Sequence, residues 1–116
     1  MELTGKCKEE FKKWLNVNYK DCGVVRYSKD VNWSVFDLFY KLPKSMRYGL
    51  LEDYFDSVGI KIFIEPSVNS EWYIYLLPSN CVGSYEIDYN RFTSRPKARD
   101  LAVKKGDELR NEVLNK

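Results

Sequence analysis

The chain has 116 residues, a length that suits one domain spanning 1–116 with a core of its own. Its 19 basic and 17 acidic side chains leave a net charge of +2, and it has no histidine, so the commonest general base is missing. Three scattered cysteines, Cys7, Cys22 and Cys81, fit neither a disulfide framework nor a zinc spacing and read as ordinary thiols of a reducing cytoplasm.

In chain order, residues 4–19 form the first amphipathic helix. Cys7, Phe11, Trp14, Leu15 and Asn18 fall on one face, Thr4 is the expected cap, and Lys8, Lys12 and Lys13 look outward. This charged start contains no apolar signal region. "DCGVVRYSKDVN" (21–32) breaks the pattern and reads as a short extended piece. "WSVFDLFYKLP" restarts a helix, with Ser34 and Asp37 as an approximate capping box and Pro43 as its stop. Pro43 then suits the first turn of the next helix. That helix, "KSMRYGLLEDYFDSVG", carries an apolar stripe of Leu50, Leu51, Tyr54, Phe55 and Val58 and ends at Gly59.

Three extended runs follow, at 60–66, 71–77 and 85–91. In the first, Ile60, Ile62 and Ile64 alternate with Lys61, Phe63 and Glu65, the period of a half-buried strand. The second, containing the apolar run "WYIYLL", is apolar on both faces and far too short to cross a membrane. The third sets Tyr85, Ile87 and Tyr89 against Glu86 and Asp88. The last helix, 95–115, buries Ala98, Leu101, Ala102, Leu109 and Val113, with Gly106 on the same stripe and therefore expected against the sheet. The expected fold class is α+β: N-terminal helices (about 1–58), then a three-stranded antiparallel meander closed by a C-terminal helix packed on the sheet (about 59–116).

Charge is unevenly spread. Residues 21–90 hold six basic and ten acidic side chains, whereas 91–116 hold eight basic and four acidic, an asymmetry that bears on partners. Nothing provides a nucleophile, a phosphate loop or a metal set, so the expectation is a non-enzyme with no cofactor, no metal and no small-molecule substrate. Two surfaces stand out. On the sheet face turned from the core, Phe63, Tyr73 and Tyr75 accompany Glu86 and Asp88, a Tyr-rich acidic face that suits a protein partner; the alternative is that the N-terminal helices cover it. At the start of the last helix, Arg91, Arg95, Lys97 and Arg99 crowd the end where a helix prefers anions. Such a broken local rule points to a phosphate or an acidic partner, and the alternative is a solvated basic face.

Residues 44–116, read as helix–strand–strand–strand–helix, resemble a double-stranded-RNA-binding domain. "SRPKAR" places Ser94, Arg95, Lys97, Ala98 and Arg99 on that family's phosphate-straddling helix start, with Pro96 where the family has a lysine. Residues 36–116 also resemble small uncharacterised bacteriophage and prophage proteins ending in a Thr-Arg-Pro-x-Ala-Arg-type helix, carried by "FYKLPKSMRYGLLEDYFDSVGI" and "FTSRPKARDLAVKKGDELRNE". That resemblance implies a mobile-element origin and no particular activity; small phage proteins with aromatic, charge-segregated surfaces often block host defence by binding, as anti-CRISPR proteins do. The resulting expectation is an inhibitor of a host defence complex, meeting a host protein or ribonucleoprotein in the bacterial cytoplasm, with no membrane. The alternative is a stand-alone double-stranded-RNA binder that contacts RNA directly.

Overall fold

A computed structural model describes residues 2–19, 35–66, 72–78, 85–92 and 94–116. The extended piece at 21–32, Ser34 of the capping box, Cys22 and Cys81 lie outside the described residues. The elements are α1 (Gly5–Tyr19), α2 (Val35–Phe39), α3 (Lys44–Ser57), β1 (Ile60–Pro66), β2 (Trp72–Pro78), β3 (Tyr85–Phe92) and α4 (Arg95–Leu114).

Helix α1 forms because Cys7, Phe11 and Leu15 recur every fourth residue, and all three are buried. Asn18 is exposed, its amide turned back onto the Trp14 carbonyl, so the stripe ends at Leu15. Lys8 and Lys12 are half-buried: their ammonium groups stand 5.8 and 4.6 Å from the Phe36 ring centre, and only Lys13 is fully outward. Pro43 precedes α3 instead of entering its first turn, and its carbonyl accepts the Met46 and Arg47 amides. The same helix buries Tyr48, Leu51, Tyr54 and Phe55 and stops where Gly59 takes φ of +84°.

The strands pair antiparallel in the order β1-β2-β3. The β1–β2 register is unbroken from Ile60↔Pro78 to Pro66↔Trp72, whereas β2–β3 shifts twice, between Trp72 and Ile74 and between Ile74 and Tyr75. Helix α3 lies against β1 and α4 chiefly against β2, while α1 and α2 sit beyond them, α1 touching α4.

That layering corrects the expected α+β architecture. The sheet is not the organising element: among the described residues only Ile60, Ile74 and Leu76 bring strand side chains into the buried core, which is otherwise built by helices. The cause is the aromatic load. Phe11 packs on Phe39, Tyr54 and Phe36 at ring separations of 5.0, 5.2 and 6.4 Å, and rings of this size dominate core energetics. Gly106 is corrected too. A Cβ there would lie 2.9 Å from the Phe55 ring, so its close approach is helix to helix, not helix to sheet. Val113, expected in the stripe, is 49% exposed: at this end Arg110, Asn111 and Leu114 make the contacts with α1 and the core. No helix of the described residues is long and apolar enough to cross a membrane.

Candidate functional site

Helix α4 begins as the sequence suggests. Ser94 is extended, its Oγ accepts the Lys97 amide at 3.3 Å, and Pro96 occupies the first turn. Lys97 is exposed. The two arginines are not idle: the Arg95 guanidinium lies 4.4 Å from the centre of the Trp72 ring, and that of Arg99 lies 4.9 Å from Tyr48. Each stacking contributes about 0.5–1 kcal/mol at an exposed site. A cation at a helix N-terminus costs about 0.3–1 kcal/mol. The two effects nearly cancel, so the unfavourable charges are compensated locally, which the sequence reading did not foresee. Asp100, one residue on, pairs with Lys44 at 3.3 Å, an exposed contact of little energetic weight. Arg91 belongs to β3, but its side chain lies outside the described residues.

The arginines border a groove of about 410 Å³ between Tyr48 and Glu52 of α3 and Ile62, Phe63, Ile64 and Glu65 of β1. Burial pushes the Tyr48 phenol above its ordinary range, with Glu52 adding to the rise and Arg99 opposing it. A second groove of about 300 Å³ shares Glu52, Ile62 and Phe63 and continues to Asp53, Asp56 and Lys61. The larger apolar hollow, about 520 Å³ between Leu15, Phe39, Leu42 and Met46, lies between α1, α2 and α3, away from the basic cluster.

The expected aromatic–acidic sheet face is only partly brought together. Phe63 is 45% exposed, so no helix covers that face at its position. The register sets Phe63 opposite Tyr75 and Tyr75 opposite Glu86, one row across the sheet, with Tyr73 opposite Glu65. Asp88 instead stands opposite Ile74, whose side chain is fully buried. The register shifts between Ile74 and Tyr75, where β3 carries one extra residue between the paired positions. The side chains of Tyr73, Tyr75, Glu86 and Asp88 are outside the described residues.

A second polar constellation joins α1 to α4. Asp107, 5% exposed, accepts from the Thr4 amide at 2.9 Å and the Thr4 hydroxyl at 2.7 Å. Asn111 accepts the Cys7 amide at 2.9 Å and donates to the Thr4 carbonyl at 3.0 Å. The expected Thr4 cap is therefore corrected. Thr4 gives its hydroxyl proton to Asp107, and the orphan amide of Cys7 is capped from another helix. Farther along, Arg110 grips Glu10 with two bonds of 2.8 Å, and the Tyr54 hydroxyl donates to the same carboxylate at 2.7 Å. The Arg110 bonds hold the Glu10 carboxyl below its ordinary range. Burial pushes the Cys7 thiol up to about 12, so it stays protonated and unreactive at neutral pH. Sequence reading missed this seam because the residues it joins at the two ends of the chain lie 100 or more positions apart. Among the described residues no group of three or more His, Cys, Asp or Glu side chains could hold a metal ion.

No family model, curated protein or solved structure matches the chain.

Proposed function

We propose that this chain is a non-enzymatic binding protein whose contact surface is centred on the start of α4. The observation that carries the reading is the pair of arginine guanidinium groups held over the Trp72 and Tyr48 rings. A cation–π contact places a guanidinium without consuming its N–H donors, and among the described residues no carboxylate pairs with Arg95, Lys97 or Arg99. A guanidinium held in this way is preorganised for a carboxylate or phosphate. The exposed Phe63 and the mixed-charge groove beside it extend the surface toward a protein partner. The partner class this suits is a nucleic-acid-handling protein of the bacterial cytoplasm. With the resemblance of residues 36–116 to phage proteins, the reading becomes inhibition of a host defence complex, in the manner of anti-CRISPR proteins.

The second reading, a stand-alone double-stranded-RNA binder, is favoured by the same basic helix start following three strands. Fluorescence anisotropy with bare double-stranded RNA over a salt series separates them. A protein inhibitor shows little binding at any salt. An RNA binder shows affinity falling steeply as salt rises. A lysate pull-down with and without nuclease, in which Arg95→Glu/Arg99→Glu captures the same proteins as the parent, would remove the cluster from the function altogether.

A further inference from the structure

Among the described residues nothing pairs with β1 on the side away from β2. The two edges of the sheet differ. The β3 edge is interrupted by register shifts, which blunt pairing, whereas β1 keeps an unbroken seven-residue register with its neighbour. A regular edge with free N–H and C=O groups is a template for another strand. Along it, Ile62 and Ile64 are only partly buried and Phe63 is 45% exposed.

The strand that fits this edge is its own copy. Read antiparallel against itself about Phe63, "IKIFIEP" sets Ile62 opposite Ile64, Phe63 opposite Phe63 and Lys61 opposite Glu65. Every cross-strand pair is apolar with apolar or cation with anion, the pairings that stabilise a sheet. The flanking grooves repeat this polarity: Asp53 and Asp56 lie at the Lys61 end, Arg95 and Arg99 at the Glu65 end. A two-fold axis exchanges the ends, so the acidic end of each copy meets the basic end of the other.

We propose that two copies of this chain associate through β1, antiparallel about a two-fold axis at Phe63, merging their sheets into one. A single seven-residue edge buries less than the roughly 1,200 Å² of a standard interface, so the dimer is weak and concentration-dependent. This dimer would use Phe63 and the groove along Ile62–Glu65 that the proposed contact surface also includes, so a second copy and a partner compete for it, and sedimentation of the isolated chain tests the dimer apart from the partner reading.

Sedimentation equilibrium of the full chain over a concentration series tests it, with thermal melts confirming that each variant folds. The expected result is a reversible monomer–dimer equilibrium. Lys61→Glu alone and Glu65→Lys alone should each weaken dimerisation roughly tenfold, by turning two cross-strand attractions into repulsions. The double variant Lys61→Glu/Glu65→Lys should regain the parent affinity, and the two single variants mixed should form a heterodimer stronger than either alone. A chain that stays monomeric throughout overturns the proposal. So does a dimer indifferent to all these changes, since its interface would lie elsewhere.

Discussion

The two ends of α4 handle charge in opposite ways. Toward its C-terminus, Asp107, Arg110 and Asn111 spend their hydrogen-bonding capacity on α1, at distances of 2.7 to 3.2 Å. At its N-terminus, Arg95 and Arg99 rest on aromatic faces, and Lys97 projects into solvent. Buried polar groups must be satisfied or they cost the fold, so the first end is structural. Stacked cations cost little and keep their donors, so the second end is where the proposed contact surface is centred. The same helix therefore separates a seam that holds the molecule together from a surface that the fold does not need. Variants in the two halves should differ accordingly: loss of stability in one, loss of binding in the other.

The largest effect is expected where the structural half is tightest. Gly106 faces Phe55, which is fully buried, and any Cβ would sit 2.9 to 3.1 Å from its ring. Gly106→Leu should lose about 3 kcal/mol or more in urea unfolding by overpacking, despite a gain of about 1 kcal/mol in helix propensity. A variant as stable as the parent would show that α3 and α4 are not locked together. Asp107→Ala should come next, at about 1–3 kcal/mol, because it removes the buried carboxylate that accepts the part-buried Thr4 amide and hydroxyl. Hydrogen exchange should locate the loss in the first turns of α1 and leave the start of α4 unchanged.

Glu10→Gln should cost less, about 1–2 kcal/mol at neutral pH, since the pair is partly solvated and Gln keeps the Tyr54 bond. Its signature lies in pH. The folded carboxyl of Glu10 titrates below its ordinary value of 4.5, so the stabilisation is full above that pH and is lost as pH falls through the depressed value. The parent should therefore lose stability more steeply than Glu10→Gln from about pH 5 downward. Parallel acid curves would mean that Arg110 and Glu10 contribute nothing to the seam.

What was legible in the sequence was local. The fourfold spacing of Cys7, Phe11 and Leu15, the Gly59 stop, the Ser94 cap and the alternation in "IKIFIEP" each depend on neighbours a few residues away. What was not legible depends on distant partners. The seam pairs residues 4–10 with 107–111, and no spacing rule reaches across that interval. Trp72 and Tyr48, which make the basic cluster tolerable, come from two other elements. The register shift in β3 between its Glu86 and Asp88 positions follows from pairing with β2, not from the alternating pattern of "YEIDYN". The weight of the core fell on helices because aromatic contacts among α1, α2 and α3 could not be counted from one strand or helix at a time.

The smallest expected change in stability carries the most weight for function. Arg95 and Arg99 are poor test sites for the binding half, since replacing them also removes ring contacts with Trp72 and Tyr48. Lys97 touches no ring among the described residues and is exposed. Its amide already donates to Ser94 Oγ, so it stands three residues after the cap, where a glutamate completes a capping box by reaching back to the Ser94 amide. Lys97→Glu also replaces a cation with an anion at the positive end of the helix dipole. The isolated protein should therefore gain a few tenths of a kcal/mol, a slight rise in melting temperature. Partner binding should fall, because an acidic or phosphate-bearing surface now meets a like charge. Thermal melts beside a pull-down from host lysate read both effects from one variant. A more stable protein that still captures its partner would mean that Lys97 belongs to a solvated face, and the contrast between the two ends of α4 would then stop at Arg95 and Arg99.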